Sequence, residues 1–375
     1  MLLQNKSKYN LAKLLAKLAW DPNDARLICD DTIDETDPAN PRSFNSSSIK
    51  FANTTTLELW TDIITEAEKQ ELLLPLVEVV KNRNNGNKDL LSFCDEIKNG
   101  FERRVEKIAR AIKKNDCVLF MGPELLQCLN GVNAPEAFSR LFSLELSKKL
   151  GNAGVYFDKE LSNSISYIAN RYEDIPNVVN RELGIEVQKS FAAAKVYKTV
   201  FDKIAQLKFP LVISTNPDDI LEKQYKNLNI PYQSGFYDRS NQNKNETTFD
   251  DSNSIIYKIF GSFENPYSIL FTDNDRVQFA KNVVKNDPAI PPVIKVLLEN
   301  KCCLFLGFNF QEWHLKILID CLGLAKKEDQ TFALLMDKSN ESSVEHFEKN
   351  YKFYFINEEI EEFLDEVIKT TQSIP

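Results

Sequence analysis

The sequence predicts an α/β fold, a mostly parallel sheet preceded by a small all-helical bundle, and three observations carry that expectation. From about residue 99 onward, short apolar runs recur, among them Cys117–Met121, Leu211–Ile213, Ile255–Tyr257 and Cys302–Leu306. Helical patterns lie between most of them, as at Phe138–Leu150, Val293–Leu298 and Ile360–Ile368. Before residue 99 the apolar spacing is helical throughout. Strands that are apolar on both faces and separated by helices belong to a parallel sheet covered on both sides. The expected division is a helical domain over 1–98 and an α/β domain over 99–375.

Local chemistry justifies each element in turn. Leu11, Leu14, Leu15 and Leu18 fall at i, i+3, i+4 and i+7, one apolar stripe on a first helix. Asp21-Pro22 supplies an N-cap and a proline at the first helical position of a second, with Ala25, Leu27 and Ile28 behind it. The polar stretch from Asp31 to Lys50, with Pro38, Pro41 and Ser46-Ser47-Ser48, reads as loop. Thr56 is placed to cap a helix carrying Leu59, Trp60, Ile63, Ile64 and Ala67. Leu72 to Val80 forms a short helix with Pro75 near its start, and Asn82 to Asn87 returns to loop. Val105, Ile108, Ala109 and Ile112 make a helix face ahead of the first strand. Further strands are expected at Ser268–Phe271, Phe332–Met336 and Phe353–Ile356.

Composition narrows the function classes. A chain of 375 residues that is 43% hydrophobic buries a large core without metal or disulfide support. Net charge is −9 with a pI near 5.1, and no basic stripe of the kind that tracks a duplex appears. The positive runs Lys6 to Lys17 and Arg103 to Lys114 sit at helical spacing and read as solvated helix faces, so direct nucleic-acid binding is not expected. The seven cysteines never form a C-x-x-C pair, which leaves no zinc-ribbon spacing. Their odd number, without a signal peptide, fits a reducing cytoplasm. No apolar run reaches the roughly 18 residues of a membrane span.

In Rossmann-like sheets ligands bind beyond the carboxyl ends of strands, so the polar residues just after each apolar run are the candidate site. Four such places stand out: Gly122-Pro123-Glu124, Thr215-Asn216-Pro217-Asp218 with Leu221-Glu222, Lys258-Ile259-Phe260-Gly261-Ser262, and Gly307-Phe308-Asn309. Each has a bland reading beside the functional one. Asn216 could cap a helix starting at Pro217, with Asp218 and Asp219 favouring its dipole. Gly307 could simply serve a tight strand-to-helix turn. The two histidines are His314, one turn past the fourth place, and His346 in a polar stretch, and a lone helical histidine is more often structural.

In order and spacing these four places resemble the SIR2-like family of NAD-consuming domains over roughly residues 101–370. Thr215 to Glu222 is similar to its T-N-x-D-x-x-L-E element, and Lys258 to Ser262 to its K-x-H-G-S element. Leu304 to Trp313 is similar to L-F-L-G-Y-S-x-x-D-W. The resemblance implies that Asn216 faces the nicotinamide ribose and Asp218 the nicotinamide end, and that Gly122, Thr215, Ser262, Gly307 and Asn309 contact an NAD or ADP-ribose-like ligand. It also aligns Phe260 with the catalytic histidine, and a phenyl ring has no lone pair to accept a proton. Only Gly122 remains of the family's G-A-G-x-S phosphate loop; Pro123 removes a donor, and Glu124 brings a negative charge. Glu124 or Asp218 could in principle take a base's place if burial raised its pKa.

The spacing of Leu59-Trp60, Glu66-Ala67-Glu68, Leu76-Val77 and Val79-Val80 resembles the effector-associated domain type 1, an adaptor of bacterial conflict systems, over roughly residues 1–95. Together the two resemblances imply a degenerate SIR2-like scaffold or ligand sensor of an antiphage system. It would form homo-oligomers and be recruited to a protein partner bearing a matching adaptor. The alternative they imply is an NAD hydrolase that depletes the cell's NAD.

Overall fold

The computed structural model describes residues 5–19, 21–34, 41–52, 54–70, 72–84, 87–129, 135–176, 180–239, 249–250, 252–299, 301–324, 331–335 and 341–374. The chain divides into two compact units, Met1–Lys107 and Ile108–Pro375.

The first unit is built on helices Asn5–Leu18, Pro22–Asp30, Thr56–Lys69 and Leu73–Arg83, followed by the start of the long helix Lys88–Lys113. Asp21 caps the second helix, its carboxylate accepting from the Asn23 amide, with Pro22 at the first helical position as the sequence requires. The third helix is capped by Thr55, not Thr56, in a capping box with Glu58. The N-cap residue must be extended, and Thr55 is (φ −72°, ψ 153°), whereas Thr56 is already helical. Leu11, Leu15, Ile63, Ile64, Leu76 and Val80 close the core around Trp60, whose indole N–H donates to the Ala19 carbonyl at 2.9 Å. The stretch expected to be loop contains one short antiparallel ladder, Ile33–Asp34 with Arg42–Ser43. Pro38, Asn85, Gly86 and Met336 lie outside the described residues.

The second unit holds a seven-stranded sheet: β1 (Cys117–Met121), β2 (Leu211–Ser214), β3 (Tyr232–Phe236), β4 (Ser254–Lys258), β5 (Cys302–Leu306), β6 (Thr331–Leu334) and β7 (Phe353–Ile356). The order across the sheet is β7-β6-β5-β1-β2-β4-β3, and every neighbouring pair is parallel. β1, β2 and β5 are buried at every position, which is why they read as unbroken apolar runs. Phe120 and Phe305 stack across β1 and β5, with centroids 4.2 Å apart.

Two expectations about strands change. β3 is an edge strand of mixed polarity, Tyr-Gln-Ser-Gly-Phe, partly exposed along its length, and the apolar signal that marks a strand is missing from it. Ser268–Phe271 is not a strand. Asn265 caps a single 3₁₀ turn at Pro266–Ser268, and Ile269 and Leu270 are buried beyond it without joining the sheet.

The register positions the site. Met121 pairs with Ser214 and with Leu306, and Ser214 pairs with Lys258, so these four residues form one row across the sheet. Three of the candidate motifs, at Gly122, Thr215 and Gly307, begin immediately after that row, and the fourth runs on from Lys258 itself.

Candidate functional site

The loops after β1 and β5 interlock through their glycines. The Gly122 amide donates to the Leu306 carbonyl at 2.8 Å, and the Glu124 amide to the Gly307 carbonyl at 3.0 Å. A Cβ on Gly122 would sit 2.1 Å from the Gly307 oxygen. Gly307 adopts φ +75°, and a Cβ there would lie 2.4 Å from Leu125 Cγ, so both positions require glycine. The Glu124 amide, which the sequence places in the phosphate loop, is thereby already committed to protein.

The loop after β2 ties itself to the β1 loop. Thr215 donates to the Met121 carbonyl from its amide (2.9 Å) and from its hydroxyl (3.0 Å). The Asn216 side chain donates from Nδ2 to the Gly122 carbonyl at 3.0 Å. Asn216 does not cap the following helix. That helix begins at Ile220, and Asp218 Oδ1 accepts from the Ile220 amide at 2.9 Å. Pro217, Asp218 and Asp219 precede the helix, so Asn216 is too far back to reach its first free amides.

Asp218 is fully buried, and its second oxygen, Oδ2, has no hydrogen-bond partner among the described residues. Burial pushes its pKa up to about 6, with the Ile220 amide opposing that rise. One turn on, Glu222 forms a buried ion pair with Lys258 at 2.6 Å, joining the second motif to the third. Burial raises the Glu222 pKa against the pull of the Lys258 ammonium.

In the third motif Gly261 takes φ +92°, and a Cβ there would lie 2.4 Å from the Ser268 oxygen. Ser262 is buried inside this turn: its amide donates to Ser268 Oγ at 3.0 Å, and its hydroxyl accepts from the Glu264 amide. Phe260 is buried edge-on against Phe279, with centroids 5.6 Å apart, and its ring lies 6.3 Å from that of His314.

These loops enclose a cavity of about 200 Å³. Of the four candidate places, Pro123, Glu124, Thr215, Asn216, Pro217, Phe260, Phe308 and Asn309 line it, and His314 does too. Gly122 and Gly307 stand behind as the crossing backbone, and Asp218 and Ser262 are not among the lining residues. His346 lies half-buried on a different helix, Glu341–Tyr351, beside Phe347 and Tyr351.

Two further lining residues are not among the candidates named from the sequence. Glu312 ends the loop after β5; its Oε2 lies 3.3 Å from His314 Nδ1, at an angle that leaves Nδ1 without an aligned hydrogen bond. The adjacent imidazole holds the Glu312 pKa below the ordinary carboxylate range. Burial lowers the His314 pKa and the nearby Arg276 adds to that, while Glu312 opposes both, so the ring is neutral at neutral pH. Arg276, on the helix Asp273–Lys285, donates from Nη1 to Ser166 Oγ and lies 3.8 Å from Asp273 Oδ1. Glu312 falls at the acidic position of the L-F-L-G-Y-S-x-x-D-W element, and that was the available clue to it. Arg276 follows a capping box at Thr272 and Asp275 that reads only as a helix start.

Residues 210–356 match the family model described as a SIR2-like domain. The match begins just before β2 and ends with β7, so β1 and its Gly122 loop lie outside it. No curated protein matches the chain. Among the described residues no helix is long and apolar enough to cross a membrane, and no group of three or more metal-ligating side chains is found.

Proposed function

We propose that this chain is a degenerate SIR2-like protein of a bacterial antiphage or conflict system. Its α/β unit binds a nucleotide-derived ligand as a sensor or scaffold. Its N-terminal helices, read as an effector-associated adaptor, recruit a partner bearing a matching domain. The observation that carries the reading is the cavity at the carboxyl ends of the strands, lined by Thr215, Asn216, Asn309 and Phe260, the last being the residue that the resemblance aligns with the family's histidine. A ligand can be held there, while a phenyl ring cannot take its proton. We place the protein in the cytoplasm as a homo-oligomer, with NAD, ADP-ribose or a ribosyl part of them as the ligand.

The residues present fit one part of such a ligand and not the other. Asn216, Asn309 and the aromatic walls suit a ribosyl ring compound. The Gly122 loop does not suit a diphosphate, since Pro123 has no amide proton and the Glu124 amide is bonded to Gly307. The test is thermal stabilisation of the full chain by NAD, ADP-ribose and nicotinamide riboside. A rise in melting temperature with at least one of them is expected, and no rise with any of them refutes the reading.

A second reading, NAD hydrolysis that depletes the cellular pool, is favoured by one observation: an imidazole, His314, lines the same cavity as Asn216. Incubation with NAD separates the two. Strong nicotinamide release that Asn216→Ala abolishes would establish hydrolysis in place of sensing.

A further inference from the structure

The geometry points to a phosphate-free riboside as the ligand of this cavity, a planar ring of neutral or positive charge on a ribose, with His314 as the residue that reads the ribose hydroxyls. The inference rests on the reading of the cavity as a ribosyl-ligand site, and it narrows that site away from dinucleotides.

Charge is the first reason. Glu124 and Glu312 both line the cavity, and among the described residues the one cationic side chain lining it is Arg276. That guanidinium donates from Nη1 to Ser166 and lies 3.8 Å from Asp273 Oδ1, its Nε has no hydrogen-bond partner among the described residues, and its single positive charge is outnumbered by the two carboxylates. Burial depresses the His314 pKa, so its ring adds no positive charge at neutral pH. The wall is therefore net negative, and a diphosphate would bring two further negative charges into a partly closed space. A pyridinium or a neutral base meets no such repulsion.

Backbone geometry is the second. A phosphate held at a strand-to-helix turn is bound by free backbone amides. Here the Gly122 and Glu124 amides bond to the Leu306 and Gly307 carbonyls, and Gly122 and Gly307 lie in van der Waals contact with no room between them. Size is the third. The cavity measures about 200 Å³, below the roughly 300–1,000 Å³ of sites that enclose drug-sized ligands, so it suits a nucleoside better than a dinucleotide.

The remaining walls say what does fit. Phe138, Phe142, Phe260, Phe271 and Phe308 offer aromatic faces and edges to a planar ring. Among the polar groups, His314 is the best placed to read hydroxyls. Its Nδ1 is turned toward Glu312 at 3.3 Å, which favours the proton on Nδ1 and leaves Nε2 as an acceptor. Hydrogen bonds of this kind are often misaligned before a ligand arrives and tighten around it.

The experiment uses the full chain, with binding measured by calorimetry and melting by fluorimetry. The probes are nicotinamide riboside, adenosine, 2′-deoxyadenosine, ADP-ribose and NAD. The riboside is expected to bind at least tenfold more tightly than ADP-ribose or NAD, and adenosine more tightly than its 2′-deoxy analogue. His314→Phe, which keeps the ring and removes its nitrogens, should weaken riboside binding about tenfold or more and erase the preference for the 2′-hydroxyl. His314→Asn serves as the second variant if the first does not fold. Tighter binding of ADP-ribose or NAD than of the riboside overturns the inference while leaving the ligand-binding function standing. Wild-type discrimination in both His314 variants also overturns it. Absence of binding by every probe overturns the functional reading itself.

Discussion

Replacing Asp218 with asparagine should make this protein more stable at neutral pH. Asp218 is fully buried, and burial holds its pKa at about 6 against an ordinary value of 3.8. Because the native carboxyl binds its proton more tightly than the unfolded one, the native state carries more protons between those values. Stability therefore falls as pH rises from about 4 to about 6, and the full penalty applies above that window. At about 1.4 kcal/mol for each pH unit, the penalty comes to about 3 kcal/mol. Asparagine keeps the oxygen that accepts from the Ile220 amide and removes the charge. For a unit of this size, about 3 kcal/mol corresponds to a gain of roughly 6–12 °C in melting temperature. Thermal melts of both proteins from pH 4 to pH 8 provide the assay. The gain should be present at pH 7.5 and should shrink toward zero near pH 4. No gain at pH 7.5, or an equal gain at pH 4, would refute the reasoning.

Two further changes probe the same region. Lys258→Met leaves Glu222 buried without its partner and should cost about 3–5 kcal/mol; adding Glu222→Leu should recover most of that loss in denaturant titrations. Gly307→Ala forces a Cβ into Leu125 and a side chain into φ +75°, and should lower stability by at least about 1–3 kcal/mol. A Gly307→Ala protein that melts like the wild type would show that the two loops separate easily.

The architecture was legible wherever one face, or both, had to be apolar. β1, β2 and β5 stand out because central parallel strands are buried on both sides, and the helix bearing Trp60 because its apolar residues share one face. β3 was not legible, because an edge strand can be polar, and Ser268–Phe271 misled because burial alone does not make a strand. The site was legible to the extent that it depends on backbone. Gly122, Thr215, Asn216 and Gly307 all follow the row of strand ends, where a turn constrains the residue type. What the sequence could not show is which side chains from distant helices complete the enclosure. Arg276 comes from a segment whose local pattern indicates only a helix start, and it reaches the cavity beside His314 through tertiary packing alone.

The strand order has a bearing on how the protein is made. β1 is synthesised first but lies between β2 and β5, and β5 emerges only after residue 301. Until then the nascent chain holds a bare hydrophobic strand with an open edge, the kind of segment that recruits neighbouring chains. The helical unit, which depends on contacts near in sequence, can fold long before that moment. Fragments ending before β5 should therefore contain a folded N-terminal unit attached to an aggregating remainder. A fragment meant to fold as the α/β unit needs every residue through β5 at the least.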